Sequence, residues 1–261
     1  MAQRWILALC GVLVACGATQ EQTPPAIPAT AHGTLSANTS DGVEVHGYIR
    51  PSTAANSQLP TVLLFHQGGA NAQGEYGEIQ NWLAFEGITS IAWDSRAGGS
   101  MFENENRTVQ NLAEGTPAEF CDALPDLLAA IDEASRHGFG ENGFVLWGSS
   151  YTGALVFHAA AERPDLIRGV LAFSPASGAP MEGCRAMVRA PQVQTEILIV
   201  QPEEEVVRPT AAEQRLALEA LGASYIIVRG GAHGSSTLLD ERTGGDMRGE
   251  RARVIGWLQR R

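Results

Sequence analysis

Hydrophobic residues along this chain fall into two alternating kinds of run. Short, nearly unbroken apolar stretches occur at residues 61–66 (TVLLFH), 88–93 (ITSIAW), 144–148 (FVLWG), 167–173 (IRGVLAF), 195–200 (TEILIV) and 224–228 (SYIIV). Their length and Val, Ile and Leu content predict strands buried on both faces. Between them lie segments with helical spacing of apolar positions, predicting helices over Glu75 to Phe85, Pro117 to Arg136, Tyr151 to Glu162, 210–221 and 245–259. Before the first long strand, GTLSANTSDGVEVHGYIR alternates and turns at Asp41-Gly42, which predicts an antiparallel hairpin. Strand and helix in this rhythm give an α/β domain with a mostly parallel sheet covered by helices on both faces. Between Phe173 and Thr195 no long helical pattern occurs, so the expectation is loops and no large cap domain over the C-terminal strand ends.

The first 32 residues lie outside this rhythm. Arg4, the apolar run Trp5 to Val14 and the small residues before Cys16 form an export signal, too short to span a bilayer. Leu13-Val14-Ala15-Cys16 resembles a bacterial lipobox, with residues 1–15 as the signal and Cys16 as the lipidated first residue; Cys10 fits poorly after bulky Leu9. The alternative is an ordinary signal cleaved near Ala18, giving a secreted protein. Gly17 after the cysteine, by resemblance to such lipoproteins, points to the outer membrane facing the periplasm. Residues 16–32, rich in Pro, Thr and Ala, then form a tether, and the folded domain occupies residues 33–261.

Composition narrows the partners. With 261 residues, 44% hydrophobic, one large core can form, and a formal charge of -11 excludes a nucleic-acid backbone as partner. Beyond the signal only Cys121 and Cys184 remain, and an oxidising envelope permits them to pair; two buried free thiols are the alternative.

Four places in the chain carry residues suited to acyl chemistry. VLWGSSYTGAL reads as strand, turn and helix, a layout that exposes a serine and puts the next N–H at a helix start. Ser150 fits as nucleophile with Gly148 two residues before it; Ser149 would put bulky Trp147 there. A plain helix cap is the alternative use of Gly-Ser-Ser. HQGGANAQGEY follows the first long strand, and its glycines permit close backbone approach to a substrate carbonyl, with the N–H groups of Gln67 and Tyr151 as oxyanion donors. His66 comes too early to be the base and reads as structural. His233, in VRGGAHGSS after a late strand, is placed to relay the serine proton. The strand ILIV delivers Glu203, Glu204 and Glu205, and spacing to Val206-Val207 selects Glu204 as the acid, with Glu205 second. Asp94 reads as a turn residue paired with Arg96, while Met101, Phe102 and Trp147 can pack or line an acyl pocket.

SDGVEVHGYI, LLFHQGGANAQGEYGEI, AWDSRAGGS, VLWGSSYTGAL and GGAHGSS together resemble the α/β-hydrolases, and most closely the branch similar to dienelactone hydrolases. The order oxyanion loop, serine, acid, histidine is theirs. The resemblance implies an eight-stranded sheet with antiparallel first strands, a covalent acyl-enzyme, and no cofactor or metal. Ser150 stands where dienelactone hydrolases carry cysteine, and a glutamate stands where Asp is usual. The expected activity is a serine carboxylesterase acting on a small-molecule ester or acyl substrate, membrane-anchored through its N-terminal lipid. A peptidase or acyltransferase of the same fold is the nearest alternative, and a non-catalytic binding protein the more distant one.

Overall fold

The computed structural model describes residues 1, 33–54 and 57–261. The signal and tether, including Cys16, lie outside the described residues. Eight strands form one sheet: β1 (Gly33–Asn38), β2 (Glu44–Arg50), β3 (Thr61–Phe65), β4 (Ser90–Asp94), β5 (Phe144–Ser149), β6 (Ile167–Phe173), β7 (Glu196–Pro202) and β8 (Ser224–Val228). Their spatial order is β1-β2-β4-β3-β5-β6-β7-β8. β2 runs antiparallel to β1 and β4, and every other pair is parallel. The expected hairpin forms, with Gly42 at φ 87 turning the chain back from Thr39 to Val43.

Period-two alternation divides each central strand between two cores. Leu63, Phe65, Ile91, Trp93 and Leu146 pack on one face beneath helices Leu124–Arg136 and Tyr151–Glu162. Val62, Leu64, Val145, Trp147 and Leu171 pack on the other beneath helices Ala72–Phe85 and Arg248–Leu258. Burial on both sides is why these strands read as continuous apolar runs. Helix Pro209–Ala220 lies between β7 and β8.

Two local departures have clear causes. The helix expected from Pro117 begins at Leu124, because Pro125 supplies no N–H and suits only the first turn; Phe120–Ala123 form a 3₁₀ turn instead. Arg96 does not pair with Asp94. Its buried guanidinium bridges Asp41 in the hairpin and Asp126 in helix Leu124–Arg136, at 2.5 and 2.7 Å. Asp94 instead accepts the N–H groups of Ala72 and Arg107, at 2.7 and 2.8 Å, fixing the segments that follow β3 and β4.

Between β6 and β7 the chain makes only short turns, at Ala179–Met181, Ala186–Arg189 and Ala190–Gln192, and among the described residues there is no separate cap domain. Cys184 in this connection is disulfide-bonded to Cys121 in the 3₁₀ turn, with Cα atoms 5.8 Å apart. Among the described residues, no helix is long and apolar enough to cross a membrane.

Candidate active site

β5 ends in a sharp turn whose apex is Ser150, at φ 60 and ψ -116, a conformation rarely held by a side-chain-bearing residue. The surrounding bonds over-determine it. Ser150 N–H donates to the Phe173 carbonyl at 2.8 Å, and Ala176 N–H donates to the Ser150 carbonyl at 3.0 Å, joining the turn to β6 and the segment after it. A Cβ on Gly148 would sit 2.3 Å from the Thr152 carbonyl oxygen, so no side chain fits there. The Ser150 hydroxyl does not cap helix Tyr151–Glu162, which removes the plain-cap use of this serine.

Ser149 is fully buried and belongs to the scaffold. Its hydroxyl accepts the Ser235 N–H at 3.0 Å, and its own N–H donates to Thr152 Oγ1 at 2.8 Å. Thr152 occupies a position where glycine is usual, yet its hydroxyl is enclosed without an unmet polar atom, lying 2.7 Å from the Phe65 carbonyl. The crowded position is one residue later, where a Cβ on Gly153 would meet the Phe173 carbonyl at 3.0 Å. Thr152 thereby ties the elbow to the end of β3, where the glycine loop of His66 to Gly69 begins.

His233 follows β8, with its side chain about half exposed. Its Nδ1 lies 2.6 Å from Glu205 Oε1. Gly234, next in the chain, has φ 66, and a Cβ there would fall 2.3 Å from Ser149 Oγ. The Gly234 N–H donates to Ser174 Oγ at 3.1 Å, so the histidine loop is fastened to the elbow and to the end of β6.

The acid that reaches His233 is Glu205, not Glu204. Residues Glu203–Val206 form a single helical turn after β7. Successive side chains on it diverge by roughly 100°, so Glu205 and Val206 turn inward while Glu203, Glu204 and Val207 face solvent. The Val206-Val207 pair that selected Glu204 is therefore not a buried pair. Burial would raise the Glu205 carboxyl, but the hydrogen bond and charge of His233, with the Ser174 hydroxyl and Arg208, hold it below the usual glutamate value.

The loop expected to hold an oxyanion differs from expectation at one atom. Gln67 N–H is occupied, donating to Glu75 Oε2 at 2.7 Å, and so does not serve as an oxyanion donor. Among the described residues the next amide, Gly68, has no partner within the chain, nor has Tyr151 N–H at the first position of its helix. A Cβ on Gly68 would meet the Phe120 ring at 2.8 Å, and that ring stacks on Tyr151 at 4.9 Å, so the two open amides border one aromatic pair. Phe120 directly precedes the disulfide-bonded Cys121 in the chain.

His66 is structural. Its Nε2 accepts the Ser95 N–H at 2.9 Å, which leaves the proton on Nδ1 to donate to the Gln67 carbonyl at 2.8 Å. Complete burial pushes its pKa down. Trp147 is core, stacked on Phe173, with its indole N–H donating to Ser235 Oγ. Phe102 lies beneath the Arg242 guanidinium, 3.6 Å from ring centroid to Cζ. A cavity of about 330 Å³ between them and His233 is lined also by Gln67, Ala232 and Ser236. On the other side of His233 a second cavity, of about 290 Å³, reaches Ser174, Gln201 and Thr210. No group of acidic, histidine or cysteine side chains suited to a metal occurs among the described residues.

Sequence reasoning had no signal for Gly68 in place of Gln67, since choosing between adjacent amides needs their directions. Glu75 and Ser174 were missed as well, because both act through tertiary contacts with the loops they support.

The model of one protein family, described as serine aminopeptidase, S33, matches residues 57–197, more than half of the chain. The matched segment contains the glycine loop after β3 and Ser150 and ends before Glu205 and His233. No curated protein matches the chain. Solved structures with a similar fold include an esterase from Pyrococcus furiosus (14% identity, 88% of this chain and 91% of that one, TM-score 0.63). An acylaminoacyl peptidase from Pyrococcus horikoshii also aligns, at 14% identity over 88% of this chain and 41% of that one, with TM-score 0.63. A dienelactone hydrolase from Anabaena variabilis aligns at 16% identity over 88% and 97%, with TM-score 0.58.

Proposed function

Because the chain belongs to the serine aminopeptidase S33 family and has the α/β-hydrolase fold, we propose that it is a serine hydrolase that cleaves carboxylic esters through an acyl-enzyme. The observation that carries this reading is the conjunction of Ser150, strained and uncapped at the elbow, with the His233–Glu205 pair at 2.6 Å. Ser150 Oγ attacks the acyl carbon as His233 Nε2 takes its proton. Glu205 accepts the Nδ1–H bond and stabilises the imidazolium. The developing oxyanion is held by the N–H groups of Gly68 and Tyr151, the latter aided by the positive end of its helix. His233 then protonates the departing alcohol, and water repeats the sequence to release the acid.

An ester suits the surroundings better than the free amino terminus of a peptide. An α-ammonium group calls for a nearby unengaged carboxylate. The cavities flanking His233 carry Arg242 and Arg208, and their one carboxylate, Glu205, is engaged by His233. A fluorophosphonate probe tests the reading: folded protein should label stoichiometrically, and Ser150→Ala should not label. Unlabelled wild-type protein would overturn it. Aryl esters, lactones and amides tested side by side would identify the acyl bond cleaved.

We also place the mature protein at the outer membrane of a bacterial envelope, anchored through lipid on Cys16. The Cys121–Cys184 bond supports an oxidising compartment. Mass spectrometry of the mature N-terminus should find diacylglycerol on Cys16; an unmodified terminus beyond residue 16 would contradict the anchor.

A further inference from the structure

The cavity on the Glu205 side of His233 is built unlike an acyl tunnel. Its lining includes Ser174, Ser177, Gln201, Arg208 and Thr210 beside the histidine and its acid. Gln201 is the informative residue. It sits on β7 just before the acid-bearing turn, only 4% exposed, and its carboxamide makes no hydrogen bond within the chain although it lines the cavity. The carboxamide is thus open to the cavity, where a bound group can fill both its donor and its acceptor. A second set of open groups adjoins it. Helix Pro209–Ala220 starts at this cavity with no side-chain cap, and the Ser177 and Thr210 hydroxyls meet there at 3.1 Å.

The charges select among ligands. The Glu205 carboxylate and the Arg208 guanidinium both border the space, so neither a full anion nor a full cation is matched throughout. The remaining polar groups are hydroxyls and a carboxamide, each able to donate and to accept. Groups of the same dual character, substrate hydroxyls or a neutral amide, satisfy them together. At about 290 Å³ the space equals roughly ten waters' share of liquid volume, room for a glycerol-sized group.

We infer that this cavity is a polar substrate subsite, with Gln201 as its specificity residue, taking a neutral hydroxyl- or amide-bearing part of the ester. The inference rests on the serine hydrolase reading above. Such a group can belong to the alcohol or the acyl half of the ester, and substrate pairs distinguish the two. Glyceryl monobutanoate against butyl butanoate reads the alcohol half. Butyl 3-hydroxybutanoate against butyl butanoate reads the acyl half.

In at least one pair, kcat/KM should favour the hydroxylated ester by about tenfold or more, because a site built for a hydroxyl rejects its apolar analogue. Gln201→Leu should bring that ratio toward one. The same variant should keep a melting temperature close to wild type, since the carboxamide has no protein partner to lose; a marked drop with an unchanged ratio would show that Gln201 only supports the fold. Thr210→Val, at the helix start that borders the cavity, should reduce the ratio independently. Ratios near one in both pairs, or a preference unchanged in Gln201→Leu, would overturn the subsite while probe labelling of Ser150 left the hydrolase reading standing. Absence of both labelling and turnover would overturn the two together.

Discussion

Replacing Glu205 by glutamine keeps its size but removes the charge that orients His233 and stabilises its protonated form. kcat should fall on the order of 10³- to 10⁴-fold, as for triads whose acid is neutralised, while Glu204→Gln, altering a solvent-facing side chain, should stay close to wild type. Steady-state kinetics on one aryl ester separates them, and equal losses in both variants would reject the assignment. The same two residues show the limit of reading a site from spacing. The places of Ser150 at the elbow, of His233 in the loop after β8 and of the glutamates after β7 were legible, because strand, glycine and helix signals bracket each. The choice between adjacent glutamates was not, because it depends on the phase of a one-turn helix too short to leave a periodic pattern. The choice between the amides of Gln67 and Gly68 failed for a related reason. Glu75, eight residues on from Gln67, claims the first of them.

At the scale of elements, the strands and most helices were readable because central strands buried on both faces and amphipathic helices carry distinct periods. What the periods leave open is how the loops at the strand ends are held in register. Here a buried polar chain does it: Gln67 of the oxyanion loop bonds Glu75 of helix Ala72–Phe85, and Ser149 of the elbow bonds Ser235 of the histidine loop. Ser235 in turn accepts from Trp147 and contacts the Tyr76 hydroxyl. Burial raises the Glu75 carboxyl, with the Ser149 hydroxyl, the Gln67 N–H and Arg242 opposing it in part. An acid whose folded pKa exceeds its unfolded one favours the folded state at low pH. That advantage fades as pH rises from the ordinary glutamate range toward the raised value. Glu75→Gln keeps an acceptor for Gln67 and loses this titration. Its melting temperature should therefore gain on wild type as pH rises through that window, and a difference constant with pH would show that Glu75 does not titrate there.

At the scale of the whole molecule, one covalent bond links segments that the sheet alone leaves far apart in sequence. Cys121 and Cys184 are separated by 63 positions, and closing a loop of that size stabilises the fold by about 4 kcal/mol on chain-entropy grounds. Cys121→Ser with Cys184→Ser should lower the unfolding free energy toward that amount in denaturant titration, and unchanged stability would show that the bond does not constrain the unfolded chain. The bond also latches the connection after β6 to the turn carrying Phe120, whose ring borders both open amides. One wall of the entrance is thus pinned covalently to the body of the fold. Reducing that bond should loosen the wall, so the ranking of substrates by kcat/KM should blur in the double serine variant, and a ranking unchanged from wild type would show that the latch takes no part in selection.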